Sequence, residues 1–245
     1  MRKCTIVIAN AILVVVNSVT SVGLMRGAPP TIRSTINCSQ AVPEPVDHSP
    51  IRSPQAVHTE LARRIAGASL LEIGTARGDG MSCFAQVTSR ATAIELRENY
   101  CATLRERSAG LVARGRGPGF AVVCDTYEKV LDSAAATADF IHSWTQPPMQ
   151  NHRLLADVRA AKERGRVRTG TQVVLLYDMN HPYERGVWRA CLRGRCPSGL
   201  PTATWYQNVT YDEYDLCKRM RKPTRNKYLS CDRARGTFVM AGYAM

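Results

Sequence analysis

SLLEIGTARGDGMSCFAQ, residues 69–86, is the stretch on which the fold turns. An apolar run from Ser69 to Ile73 carries one acid, Glu72, and reads as a buried strand. Gly74 and Gly78 follow at once, with Gly80 behind them, and residues 79–89 take up a helical pattern. Glycines between a strand and a helix let the backbone turn tightly and approach a ligand closely. The helix beyond offers unpaired N–H groups at its start.

The chain on either side repeats this rhythm. Residues 57–67 predict a short helix stopped by Gly67. Strands are expected at 69–73, 91–96, 119–124, 138–143 and 171–177. Helix-like segments lie between them at 79–89, 97–110, 126–136 and 149–165. Such alternation predicts an α/β fold, a doubly wound and mostly parallel sheet with helices on both faces. After Tyr177 the rhythm breaks, and ATWYQNVTY (203–211) and GTFVMAGYAM (236–245) read as two late strands around a basic loop. Strands two and three also end in acids. Glu95 closes ATAIE, where a carboxylate can accept from both hydroxyls of a ribose. Asp125 closes AVVCD, placed to accept from an adenine amino group or to cap the next helix.

LLEIGTARGDG, AIELRENYC and VVCDTYE, in that order, closely resemble the class I S-adenosylmethionine-dependent methyltransferases. The likeness runs from about residue 57 to 178, and the late strands suit that family's closing antiparallel hairpin. It implies a Rossmann-like fold, S-adenosyl-L-methionine as cofactor and methyl transfer to an acceptor the sequence does not name. It implies cofactor contacts from Glu72, Gly74, Thr75 and Gly78 of the first motif, from Glu95 and Leu96 after the second strand, and from Asp125 and Thr126 after the third. The fourth strand's end faces the methyl group and acceptor in this family, which makes Asp139, His142, Trp144 and Gln146 the polar or aromatic candidates for catalysis.

Two subfamily patterns are met incompletely. Thr145-Gln146-Pro147-Pro148 is similar to the Asn/Asp-Pro-Pro-aromatic motif of enzymes that methylate base amino groups, with Gln146 for the acid or amide and Met149 for the aromatic. The fourth and fifth strand ends are similar to catechol-type O-methyltransferases, which hold a divalent metal. Asp178 fits that pattern, but His142 stands for an acid and Met179 for an amide, with Asn180 next door. No metal is expected. A hydrogen-bonded core histidine is the competing reading for His142, and plain packing for Trp144.

Composition frames these readings. The chain has 245 residues, with 44% hydrophobic and 22% charged residues, enough for one large α/β domain or two small ones. Thirty-three Lys and Arg against 20 Asp and Glu give a formal charge of +13, an excess that favours anionic partners or simply solvates the surface. The basic residues are scattered, without the interleaved aromatics of a nucleic-acid module. Residues 1–27 begin basic, continue apolar from Thr5 to Met25 and contain no acid, which predicts a signal peptide or a membrane-spanning anchor and hence entry into the secretory route or membrane association. Residues 28–55 carry six prolines between Pro29 and Pro54 and read as a linker, leaving 56–245 as the domain. Of nine cysteines, Cys191, Cys196, Cys217 and Cys231 cluster late, where three pairings are open. Asn37 and Asn208 stand in glycosylation tripeptides.

Two other functions fit parts of the sequence. One is a non-catalytic, membrane-tethered binding module that keeps the fold. The other is a nicotinamide-dependent oxidoreductase, whose Gly-x-Gly-x-x-Gly fingerprint would need a glycine at position 76, where Ala76 stands.

Overall fold

A computed structural model describes residues 36–42, 45–47, 54–143, 149–197, 201–220, 231 and 234–245. The predicted N-terminal hydrophobic segment, Trp144 and Gln146 lie outside them.

Seven strands form one sheet: β1 (Ser69–Ile73), β2 (Arg90–Glu95), β3 (Ala121–Cys124), β4 (Phe140–Ser143), β5 (Gln172–Asp178), β6 (Trp205–Asp212) and β7 (Arg235–Ala244). Their spatial order is β3-β2-β1-β4-β5-β7-β6. The first five run parallel, and β7 pairs antiparallel with both β5 and β6. The Rossmann-like α/β class and the closing hairpin expected from sequence are both present.

Helices cover both faces. On one lie α2 (Gln55–Ile65), α3 (Asp79–Phe84) and α4 (Glu98–Ala113), whose Leu61, Ile65, Phe84 and Leu104 pack with Leu70 and Val174 of the sheet. On the other lie α5 (Tyr127–Ala134), α6 (Met149–Glu163) and α7 (Pro182–Leu192), whose Leu131, Leu154, Val158 and Trp188 pack with Leu71, Ile73 and Leu175. Alternate residues of β1 thus serve opposite cores, as a two-residue period dictates. Sequence order reverses between β1 and β4, so a crevice opens at the carboxyl ends of these two strands.

The structure departs from the sequence expectation in three places. Helix α3 ends at Phe84 rather than near 89, because Thr88 donates both its N–H and its hydroxyl to the Phe84 carbonyl and closes the turn. Helices α7 and α8 (Tyr214–Met220) occupy a region that reads as irregular. The third departure matters most for the site. Part of the Pro-rich stretch is built into the domain: α1 (Cys38–Ala41) is capped by the Asn37 side chain, and Cys38 is fully buried and bonded to Cys83 of α3. Three further disulfides join Cys101 to Cys124, Cys191 to Cys196, and Cys217 to Cys231. Among the described residues no helix is long and apolar enough to cross a membrane.

The Cys38–Cys83 bridge closes a segment of 45 residues, the Cys191–Cys196 bridge one of only five. Chain entropy makes the longer loop the more stabilising. We expect the Cys38→Ala/Cys83→Ala double variant to lose about 4 kcal/mol and the Cys191→Ala/Cys196→Ala variant about 2 kcal/mol in denaturant unfolding. Equal losses would contradict the entropic account.

Candidate functional site at the carboxyl edge of the sheet

The glycine turn leaves β1 at the switch point of the sheet. Gly74, Ala76 and Gly78 all adopt positive φ, at 77°, 53° and 87°. Gly78 is bound to its identity twice over. Its conformation is left-handed, and a Cβ there would collide with Leu104 Cδ2. Ala76 holds the same kind of conformation with a Cβ in place, which costs an L-residue about 1–2 kcal/mol.

Glu95, at the end of β2, ties this turn to the neighbouring strand. Its Oε2 accepts from Ala76 N at 2.8 Å, and its Oε1 accepts from Leu96 N and Arg97 N, both at 2.9 Å. The carboxylate is 8% exposed; its Oε1 is filled by two amides, and its Oε2 keeps a lone pair for a further donor. Leu96 beside it is 68% exposed, an apolar side chain at the rim with nothing over it among the described residues. Thr75 is buried, its hydroxyl donating to the Glu72 carbonyl at 3.3 Å.

Glu72 is the unusual member. Its residue is 4% exposed, and Oε2 has no hydrogen-bond partner. Burial first, then the charge of Asp47, pushes its carboxyl up to about 8, with Glu95 adding to the shift and Thr75 opposing it. An unpaired buried carboxyl is costly unless protonated or met by a cation.

Asp125 ends β3 on the same edge. Its Oδ1 accepts from Thr126 N at 2.7 Å and pairs with Lys129 at 2.9 Å, and these bonds hold its carboxyl below the ordinary range. The helix-capping role is not observed: the N-cap of α5 is Thr126, which has no side-chain cap, and Asp125 holds only the Thr126 N–H, with Thr126 partly exposed beside it.

The fourth-strand candidates separate. Asp139 precedes β4 and lies at the amino edge, where it accepts from Ser69 N and Ser69 Oγ at 2.9 and 2.7 Å and pairs with Arg168. It sits at the far end of β1 from the glycine turn, so the expectation of a catalytic Asp139 is corrected: the strand begins after it rather than ending near it. His142 is fully buried inside β4, its Nδ1 3.1 Å from the Val174 carbonyl. It is the register partner of Glu72, on the face that holds Phe84 and His58. Burial lowers His142 to about 4 and His58 to about 3, so both are neutral near pH 7. Asp178, at the end of β5, accepts from Asn180 N at 2.8 Å in a local turn.

Sequence reasoning missed Asp47, Asp79 and Arg107. Asp47 reaches over the glycine turn, its Oδ1 accepting from Arg77 N at 2.8 Å and its Oδ2 from Asp79 N at 3.0 Å. Asp79 returns the exchange, accepting from Asp47 N at 2.8 Å and Val46 N at 3.1 Å. Arg107 pairs with Asp79 at 2.8 Å and also donates to the Arg77 carbonyl. The only trace of this in the sequence is Cys38, whose bridge to Cys83 brings the N-terminal segment to α3.

No protein-family model matches the chain, and no curated protein does. Among solved structures it is similar to an O-methyltransferase from Bacillus cereus in complex with SAH, at 15% identity over 89% of this chain and 93% of that one, TM-score 0.49. It is similar to a SAM-dependent methyltransferase from Geobacter sulfurreducens in complex with S-adenosyl-L-homocysteine, at 14% identity over 84% and 97%, TM-score 0.49. It is also similar to the C-terminal domain of precorrin-6Y C5,15-methyltransferase from Rhodobacter capsulatus, at 13% identity over 76% and 89%, TM-score 0.46.

Two outcomes test this geometry. Ala76→Gly removes the side-chain strain and adds backbone freedom to the unfolded chain, for an expected net gain of about 0.5–1 kcal/mol in denaturant unfolding. Glu72→Gln tests the raised carboxyl. In the wild type the unfolded chain loses the Glu72 proton in the ordinary glutamate range, whereas the fold keeps it until about pH 8. Stability contributed by the protonated form therefore falls as pH rises between those values and levels off above them. Glu72→Gln should grow progressively more stable than the wild type from pH 5 to 8, as read by melting at each pH. A pH-independent difference would show that Glu72 ionises normally.

Proposed function

We propose that this chain transfers a methyl group from S-adenosyl-L-methionine to an acceptor. The observation that carries the reading is Glu72. It is a buried carboxyl with one oxygen unpartnered, beneath a glycine turn at the switch point of the sheet, and the neighbouring strand ends in Glu95. The residues present fit the cofactor. Glu95 has one lone pair left, on Oε2, for a ribose hydroxyl, while its three backbone bonds hold it still. Leu96 offers an apolar face to a base, and Asp125 and Thr126 stand at the next strand end for the adenine edge. Glu72 suits the ammonium of the amino-acid end. Gly74 and Gly78 give the turn its positive φ, Gly78 packing against Leu104, and Thr75 braces it through its hydroxyl bond to the Glu72 carbonyl.

S-adenosylmethionine supplies an already activated methyl group, so the protein's task is alignment of the acceptor and exclusion of water. The rigid turn serves the first need. Asp139 takes no part, since it is engaged with Ser69 and Arg168 at the opposite edge. His142 is buried and neutral, and its contribution is packing and strand alignment beneath the site. The acceptor stays open between a small molecule and a protein.

The fold works, in this reading, within the secretory route or at a membrane. Eight of the nine cysteines are paired, which suits an oxidising compartment, and the apolar residues 5–25 supply a leader or anchor. Asn208 lies exposed on the edge strand β6, open to glycosylation.

Calorimetry with S-adenosylhomocysteine tests the function. The wild type should bind, and Glu95→Ala should bind roughly a hundredfold more weakly, corresponding to about 2–3 kcal/mol for a charge-assisted pair. A folded wild type that gives no heat would reject the reading. For the compartment, a fluorescent fusion should join a membrane system and show a glycosidase-sensitive mass shift that Asn208→Gln reduces. Diffuse cytosolic fluorescence would reject the compartment and leave the chemistry standing.

A further inference from the structure

Resting on that reading, we propose that Asp47 is a positioning residue for the amino-acid end of the cofactor: from the N-terminal segment it clamps the glycine turn and, together with Glu72, forms a paired-carboxyl seat for the ligand's ammonium group.

The clamp is explicit in the hydrogen bonds. Asp47 and Asp79 each accept the other's backbone N–H, across 32 residues of sequence. The first oxygen of Asp47 also takes Arg77 N, so the carboxylate spans the last residues of the turn. Arg77 Nη1 donates back to the Val46 carbonyl at 3.1 Å, and Arg107 closes the bracket from α4. The arrangement is a capping box whose two halves come from distant segments. It gives α3 the polar cap that Gly78 cannot provide.

The seat is indicated by an imbalance of charge. Glu72 is buried, its Oε2 lacks a partner, and the groups that act on it are Asp47, Glu95 and the Thr75 hydroxyl, with no cation among them. The nearby guanidinium of Arg107 is spent on Asp79 and on the Arg77 carbonyl. Asp47 is itself pushed up from the ordinary aspartate range, by burial first and then by the Asp79 charge, against its two amide bonds and the Arg107 charge. A chain with a large basic excess has thus gathered acids around one buried, unpartnered oxygen. A primary ammonium brings the missing charge and three donors, enough for both carboxyls to share. Asp47 oxygens already hold one amide each, and the amides fix their direction without exhausting their lone pairs.

A clamp that only shaped the turn would affect every ligand of the turn alike. A seat for the ammonium discriminates. The experiment therefore compares two probes on the full oxidised chain by calorimetry: S-adenosylhomocysteine, which carries the amino-acid end, and 5′-methylthioadenosine, which has the same nucleoside without it. We expect Asp47→Asn and Glu72→Gln each to weaken S-adenosylhomocysteine tenfold or more and to leave methylthioadenosine within twofold. Equal losses on both probes would reduce Asp47 to a structural clamp and overturn the proposal. Unchanged affinities would overturn it too, and tighter binding by Asp47→Asn would show a plug rather than a seat. Glu72→Gln touches none of the clamp's hydrogen bonds. If Asp47→Asn fails to fold, Asp47→Ser, which keeps an acceptor for a turn amide, is read in its place: a selective loss of S-adenosylhomocysteine upholds the seat, and an unchanged ratio of the two affinities rejects it. A wild type that binds methylthioadenosine but not S-adenosylhomocysteine rejects the seat alone. A wild type that binds neither rejects the methyltransferase reading and the seat together.

Discussion

Three backbone N–H groups converge on one carboxylate, Glu95, and the rest of the site follows from that convergence. The turn after β1 has to reverse direction within five residues, three of them at positive φ. Such a turn exposes amides that no strand or helix satisfies, and buried amides need acceptors. Glu95 takes the middle one and Asp47 takes the two that follow, at Arg77 and Asp79. Two acids from outside the turn therefore hold it. One arrives on the adjacent parallel strand, as the sheet order requires, and the other arrives from a segment that precedes the first strand.

This division explains what was legible in the sequence. The sheet announced itself because each strand is a short apolar run bounded by polar residues, a pattern that burial on both faces produces. Glu72, Gly74, Gly78, Glu95 and Asp125 could be singled out because each lies at a strand end, and parallel strands deliver their ends to one edge. Asp139 was misplaced for the same reason. The run ADFIHSW contains apolar residues on both sides of it, and nothing in the pattern says that Ser69 captures the aspartate before the strand begins. His142 lies within that strand, one residue from its carboxyl end, and its ring is fully buried.

The parts that stayed hidden are tertiary. Ala76 adopts a glycine-like conformation, so the absence of a third glycine from the motif says less about the backbone than the letter suggests. The Glu95 carboxylate bonded to Ala76 N supplies the compensation that local sequence lacks. Asp47 sits among prolines, and prolines speak for the absence of helix but are silent on docking. Its place is set by Cys38, which is buried against α3, and by the reciprocal bonds with Asp79, none of which has a local periodic signal.

The energetic cost of this arrangement points toward its use. Asp79 is wholly buried and is met by Arg107 and two amides, so its charge is balanced where it stands. Glu72 is buried without that balance. A domain that merely needed a stable strand at this position would gain by an apolar residue there, since a buried unpartnered carboxyl is destabilising and its deletion would relieve neighbouring repulsion. The surrounding structure instead spends two acids on rigidity and leaves a third poised. Rigid acceptors set in advance lower the ordering cost of any cation that meets them, which is how a site converts fold stability into affinity. The strain at Ala76 and the buried carboxyl at Glu72 lie at the two ends of one backbone turn, and the proposed cofactor site would draw on both.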